Sequence, residues 1–149
     1  MTRSRTRRLT KTTRWLALAL VLGAIGTAAF YYVRWLYRER RFNALIEEIA
    51  PRHGADKFLI KAVMRQESGF DPFAYSARHA IGLMQVTESA GADWARAVGR
   101  RDYGRDLLWD PRANIEAGTW YLMRALRRWA DKDDPLPFAL AEYNAGLSN

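Results

Sequence analysis

Glu67 has the clearest potential for chemistry in this sequence, because it ends an apolar helical pattern. Ile60, Val63, Met64 and Glu67 fall at positions i, i+3, i+4 and i+7, which predicts that the carboxyl group lies on the apolar face of a helix. Glu67 also lies in the last predicted turn, where the helix dipole presents partial negative charge. Poor solvation and this charge both disfavour the carboxylate, so we expect a raised pKa and a protonated acid suited to general acid catalysis.

The periodicity alone leaves a purely structural role for Glu67 open. A glutamate at a helix end can reach water or pair with a nearby cation such as Arg65 or Arg78. A glycosidase with two carboxylates would need a second acid about 5 to 9 Å away. Asp71 is the nearest acid in sequence, but it precedes Pro72 and is typical of a turn. A single carboxylate is sufficient only where a group of the substrate itself attacks.

The elements that must position Glu67 are predicted to be helices. No segment shows the sustained alternation of a half-buried strand, so we expect an all-α domain of about five helices. Capping and breaking residues predict the bounds of five helices. The first spans about 34–50 and is ended by Pro51 and Gly54, the second runs from Asp56 to Glu67, and the third runs from about Thr87 to Val98. The fourth begins at Asp110–Pro111 and runs to Trp129, and the fifth runs from about Leu136 to Tyr143 and is ended by Asn144-Ala145-Gly146.

An apolar segment precedes this domain. Trp15 to Val33 contains nineteen residues without a charge, between Arg14 and Arg34. At about 1.5 Å per residue, such a helix spans close to the ~30 Å hydrocarbon core of a bilayer. We therefore predict a transmembrane anchor; a cleaved signal peptide, suggested by the small residues 27–29, and a buried core helix are the alternatives.

The positive charge of the chain is concentrated around this segment. Residues 1–41 contain ten Lys or Arg and one acid, a net charge of +9, whereas the remainder contains fourteen bases and fifteen acids, a net charge of −1. The folded part therefore offers no basic surplus, which argues against nucleic-acid binding. Six cations precede the segment and four follow it, so the positive-inside rule favours a cytoplasmic N-terminus.

These features predict the organisation of the chain. We expect a basic cytoplasmic segment at 1–14, a transmembrane anchor at 15–33, a juxtamembrane connection at 34–44 and a catalytic domain at 45–149. We therefore expect a single-pass membrane protein with its domain on the extracytoplasmic side. Because the chain has no cysteine, disulfides and zinc–thiolate sites are excluded, and we predict no cofactor or metal.

Four motifs in order make the expectation more specific. They are E-S-G-F-D-P-F-A-Y-S at 67–76, G-L-M-Q at 82–85, N-I-E-A-G-T-W-Y-L at 114–122 and A-E-Y-N-A-G at 141–146. Together they resemble the catalytic domain of the soluble-lytic-transglycosylase type, which is similar in fold to goose-type lysozyme. The resemblance covers residues 45–146, and its combination of motifs is far more specific than any one of them.

The resemblance implies cleavage of the β-1,4 bond between N-acetylmuramic acid and N-acetylglucosamine in peptidoglycan, and therefore a location in a bacterial inner membrane. Glu67 would act first as the acid toward the leaving oxygen, then as the base toward the muramyl 6-hydroxyl, which closes a 1,6-anhydro ring. The family's other site positions match residues that would contact the sugar or adjoin the acid: Ser76, Met84, Gln85, Tyr143 and Asn144.

Some alternatives and departures from the family remain at this point. Gln85 can instead cap a helix, Ser76 can close a turn and Met84 can be core. A goose-type hydrolase, or a non-catalytic module that binds or scaffolds the wall, would share these motifs. His79 stands where the family often has glycine. The family also continues past the position of Gly146, so we expect either a shortened form or a fragment.

Overall fold

In the computed structural model the described residues run from Lys11 to Gly146, and that part of the chain contains helices but no β-strand. The chain divides into two compact units, residues 1–37 and 38–149, and each is described by itself. The elements are α1 (Lys11–Arg41), α2 (Asn43–His53), α3 (Lys57–Ser68), α4 (Glu88–Ala97), a 3₁₀ turn (Arg105–Trp109), α5 (Pro111–Arg128) and α6 (Leu136–Gly146).

The N-terminal unit consists of the first part of α1. This 31-residue helix contains an 18-residue window with a mean hydropathy of 2.0, none of it buried within the protein. Large apolar side chains such as Leu20 and Phe30 are exposed along it. By length and composition α1 is able to cross a membrane, and the predicted anchor at 15–33 lies within it. Part of the predicted basic segment, residues 1–10, lies outside the described residues.

The C-terminal unit is built around α5, which packs against α2, α4, α6 and the 3₁₀ turn. Its core contains fully buried large side chains, among them Ile46, Met64, Trp94, Ile115 and Tyr143. The five helices α2–α6 of the described chain confirm the expected all-α domain.

Two predicted helix starts are confirmed in atomic detail. Asp56 accepts a hydrogen bond from the Phe58 amide at the start of α3, at 2.6 Å. Asp110 accepts one from the Ala113 amide at 2.9 Å, with Pro111 in the first turn of α5. These caps satisfy backbone donors that the helix itself leaves unpaired, which is why the local sequence is informative here.

Three predicted helix bounds were wrong. The helix expected at 34–50 is interrupted at Phe42, which is 4% exposed and anchors the break in the core. Pro51 lies inside α2, because its fixed φ is helical and it removes only one backbone hydrogen bond; Gly54, at φ 63°, ends the helix. α6 continues through Asn144 to Gly146, since packing overrides the weak helix-breaking preference of these residues.

Candidate active site

Glu67 lies in the last turn of α3 and is half-buried. Burial raises the pKa of its carboxyl group above the ordinary value, which confirms the prediction. Within residues 11–146 this carboxyl group has no hydrogen bond or ion pair. Arg65, the first suggested partner, instead lies 3.1 Å from Glu39. Glu67 is therefore a poorly solvated acid. The alternative prediction, an ion pair with Arg65 or Arg78, is not observed among the described residues.

The carboxyl group opens onto a cavity of about 260 Å³, which we call the Glu67 cavity. Among the described residues its walls comprise Glu67, Ser76, Arg78, Ala80, Gln85, Tyr143 and Asn144. Glu67 is the one carboxylic acid in this set. Asp71 is a turn residue, as predicted, because its side chain accepts a hydrogen bond from the Phe73 amide at 3.0 Å. The described chain also has no group of three potential metal ligands.

The end of α3 is fixed by the residues that follow Glu67. Gly69 adopts φ 57° and donates to the carbonyls of the preceding turn, which ends the helix. The Ser68 hydroxyl lies 2.8 Å from the Leu83 carbonyl and 3.1 Å from the Met64 carbonyl. Ser68 thereby joins the end of α3 to the G-L-M-Q segment on the opposite side of the loop.

The loop between α3 and α4 contains unusual backbone conformations. Phe70, His79 and Gln85 have φ values of 62°, 62° and 49°, a region that costs about 1–2 kcal/mol for a residue with a Cβ atom. The family glycine replaced by His79 thus occupies a left-handed position, which accounts for the glycine preference. Such conformations persist only where the surrounding structure holds them, as the full burial of Phe70 does here.

Ser76 and Gln85 lie on the walls of the Glu67 cavity and also organise the loop. The Ser76 hydroxyl accepts from the Ala80 amide at 3.2 Å. The Gln85 amide nitrogen donates to the carbonyls of Ala74, at 3.3 Å, and Gly82, at 3.0 Å. Because both partners are acceptors, the orientation of the amide is fixed and Oε1 remains as the atom available to accept from a ligand. The alternative role of Gln85 as a helix cap is not observed, since Thr87 caps α4.

Tyr143 and Asn144 bring α6 to the same cavity. The Tyr143 hydroxyl donates to the Met84 carbonyl at 2.8 Å. Burial raises the pKa of Tyr143 well above its ordinary value, and the charge of Glu67 raises it further, which indicates that the two groups are close. Asn144 is exposed on the cavity wall.

Met84 differs from the other predicted site residues. Its side chain is fully buried and packs so closely on Gly118 that an added Cβ there would lie 2.6 Å from Met84 Cβ. Its thioether sulfur lies 3.8 Å from the Thr119 hydroxyl. The geometry places this side chain in the core instead of on the cavity wall, and only its carbonyl acts on the site, through Tyr143.

Asn114 is a supporting residue near the start of α5 that does not line the cavity. Its side chain holds the G-L-M-Q segment. Its amide donates to the carbonyls of Ile81 and Leu108, both at 2.8 Å, and its Oδ1 accepts from the Met84 amide at 2.8 Å. The sequence gives little signal for this role, because Asn114 stands between Arg112 and Glu116, and only its burial in the structure shows that its amide needs partners.

Comparisons with known proteins agree with this geometry. The family model described as "Transglycosylase SLT domain" matches residues 44–149. Membrane-bound lytic murein transglycosylase F of Desulfosudis oleivorans is 42% identical over 122 residues, which are 80% of this chain and 25% of that protein. Membrane-bound lytic murein transglycosylase C of Shigella sonnei is 39% identical over 118 residues, 75% of this chain and 33% of that protein. The chain thus corresponds to a quarter to a third of the length of these relatives.

Solved structures share the fold. The 70-kDa soluble lytic transglycosylase of Escherichia coli superposes with a TM-score of 0.63 and 28% identity, covering 70% of this chain and 17% of that one. A complex of the 70-kDa soluble lytic transglycosylase with bulgecin A gives a TM-score of 0.65 and 28% identity, covering 81% and 20%. The match of the family model to most of the chain, together with this fold, establishes that the chain belongs to the transglycosylase SLT domain family.

Proposed function

We propose that this protein is a membrane-anchored lytic transglycosylase of peptidoglycan. It cleaves the β-1,4 bond between N-acetylmuramic acid and N-acetylglucosamine and releases a 1,6-anhydromuramyl product. The observation that carries the proposal is a half-buried carboxylic acid, Glu67, in a cavity whose described wall residues include no second carboxylate and come largely from the family's motifs. The relatives named as lytic murein transglycosylases support the same reaction.

The reaction uses one carboxyl group twice. Protonated Glu67 donates its proton to the glycosidic oxygen as the bond from that oxygen to muramyl C1 breaks. The resulting carboxylate takes the proton of the muramyl 6-hydroxyl, whose oxygen forms the new bond to C1. Glu67 ends protonated, and no water is consumed. The lack of a second acid among the described residues of the cavity fits this scheme, because the nucleophile belongs to the substrate.

The neighbours of Glu67 suit the first step. The hydroxyl proton of Tyr143 is directed to the Met84 carbonyl, so toward Glu67 this hydroxyl oxygen can serve only as an acceptor. An acceptor and a poorly solvated setting both favour the protonated acid. We therefore expect kcat/KM to fall as the pH rises through the raised pKa of Glu67, with Glu67 limiting the alkaline side of the profile.

The membrane location is part of the proposal. We infer that residues 15–33 form a single transmembrane anchor and that the domain faces the extracytoplasmic side. The length and hydropathy of α1 support the anchor, as do the membrane-bound relatives. The cation distribution around the segment supports the orientation. Peptidoglycan strands and the lipid bilayer would then be its partners.

Digestion of purified sacculi by the full chain in detergent tests the activity. We expect anhydromuramyl products by mass spectrometry, and a loss of about 10²- to 10⁴-fold in rate for Glu67→Gln. Asp71→Asn is the matched control, since this nearby acid is a turn residue outside the cavity, and it should retain activity.

Three other outcomes would change the assignment. Reducing-end muramic acid in place of the anhydro form would indicate a goose-type hydrolase. A folded protein that binds sacculi without cleaving them, with Glu67→Gln indistinguishable from the unsubstituted chain, would indicate a wall-binding or scaffold module. Equal losses for Glu67→Gln and Asp71→Asn would remove the distinction between the two acids.

A further inference from the structure

Arg78 has no role in the proposed reaction, although it lies at the active-site cavity. It lines the Glu67 cavity and also a second hollow, here called the outer depression. The outer depression has a volume of about 500 Å³ and comprises Arg78, His79, Thr87, Glu88, Ser89 and Ala92. Arg78 is the residue common to both sets, so it stands between them.

The charge of Arg78 is not neutralised within the described residues. Most arginines of the C-terminal unit lie near an acid; Arg105, for example, lies 3.9 Å from Glu88 and donates to the Tyr75 hydroxyl at 2.9 Å. Arg78 is exposed, and no described carboxylate lies within ion-pair distance of it. Burial alone accounts for the raised pKa of Glu67, so the Arg78 guanidinium does not hold that carboxylate.

The size of the Glu67 cavity implies that much of the substrate lies outside it. Its volume of about 260 Å³ falls just below the ~300–1,000 Å³ of typical small-ligand pockets, while a glycan strand is a polymer with side groups. Each muramyl residue bears a lactyl group that ends in a carboxylate or in a peptide with its own carboxylates. An arginine guanidinium pairs with such a group through two parallel hydrogen bonds.

We propose that Arg78 binds a carboxylate carried by the lactyl side group of the muramyl residue, and so selects charged muramyl glycan over neutral glycan. This inference rests on the proposed function for the identity of the substrate. The carboxylate belongs either to the lactyl group itself, in peptide-free strands, or to the attached peptide.

Binding measurements on the full chain in detergent separate these cases. All variants also carry Glu67→Gln, so that no ligand is consumed, and helical circular dichroism checks that each is folded. The three ligands are a neutral chito-oligosaccharide, a peptide-free muramyl glycan and a peptide-bearing muramyl glycan. Arg101→Gln is the matched control, because Arg101 is exposed and lines neither hollow.

We expect Arg78→Gln to raise the Kd of the glycan that carries the recognised carboxylate about fivefold and to leave that of the neutral one unchanged. Arg78→Lys should recover part of the loss, and Arg101→Gln should alter none of the affinities. A loss confined to the peptide-free glycan assigns the lactyl carboxylate, and a loss confined to the peptide-bearing glycan assigns the peptide.

Equal losses for neutral and charged ligands, no loss for either charged glycan, or no binding of any ligand by the folded protein would overturn the inference. The proposed function fails by a different measurement, the absence of cleavage of sacculi by the unsubstituted chain.

Discussion

The wall of the Glu67 cavity and the outer face of α2 and α5 use polar side chains in opposite ways. Tyr143 on this wall and Asn114 behind it are buried neutral groups, and each bonds the backbone of the loop. On the α2–α5 face, Glu48 accepts two hydrogen bonds from Arg112, both at 2.7 Å, and another from Arg52. That face is exposed, and its contacts join side chains to side chains.

The difference shows where the fold determines the site. When a buried polar group loses its hydrogen-bond partner, the folded protein bears the full desolvation cost of that group. When an exposed ion pair is broken, water solvates both charges, so the loss of stability is small. We therefore expect the geometry of the cavity to depend on a few neutral hydrogen bonds, although the outer face carries more charge. Four substitutions test this contrast.

Asn114→Ala should destabilise the protein most. It leaves the Met84 amide and the carbonyls of Ile81 and Leu108 without this partner, and we expect a loss of about 3 kcal/mol in the free energy of unfolding. Asn43→Ala is the matched control: the buried Asn43 Oδ1 has no partner within the described residues, and we expect a change below about 0.5 kcal/mol. Chemical denaturation compares the two, and equal losses would contradict the contrast.

Tyr143→Phe should have an intermediate effect. The ring is retained, but the buried Met84 carbonyl loses its donor, so we expect a loss of about 1 kcal/mol. Tyr121→Phe serves as the control, because that ring packs 6.0 Å from Tyr143 and its hydroxyl has no hydrogen bond within residues 11–146. Denaturation midpoints measure both, and a larger loss for Tyr121→Phe would mean that the hydroxyl of Tyr143 does not stabilise the loop.

Glu67→Gln should make the protein slightly more stable at neutral pH. The pKa of Glu67 is raised in the folded state, so ionisation of this carboxyl group lowers the free energy of unfolding. This loss is absent below the ordinary pKa of a glutamate and develops as the pH rises through the raised pKa. The gain in Tm should therefore be larger at neutral pH than at acidic pH. Thermal melts at both pH values measure it, and a gain independent of pH would point to a cause other than ionisation.

Glu48→Gln should have the smallest effect. Hydrogen bonding to Arg112 lowers the pKa of Glu48, but the group is fully exposed and its pairs are screened by solvent and salt. We expect a smaller loss than for Tyr143→Phe, and a still smaller one in high salt. Denaturation at low and high salt tests this, and a loss as large as that for Asn114→Ala would break the contrast between the two regions.

Much of the architecture could be predicted from the sequence, because the relevant signals are local. Asp56 and Asp110 start their helices by capping nearby amides. The apolar spacing of α3 placed Glu67 on the buried face and predicted the direction of its pKa shift. The break at Phe42 was missed because the burial of its side chain in the core decides it, and the bound at Pro51 was missed because a proline near the end of a helix removes only one backbone hydrogen bond.

The helices, the apolar segment of α1 and the acid at the end of α3 can therefore be inferred from local sequence, since each depends on residues within one or two turns. The folding of the whole domain is what places Met84 in the core, Asn114 against the loop and Arg78 between two hollows. These placements join residues far apart in sequence, such as Asn114 to Met84 and Tyr143 to Met84. Such contacts follow from how the helices pack, which no local periodicity specifies.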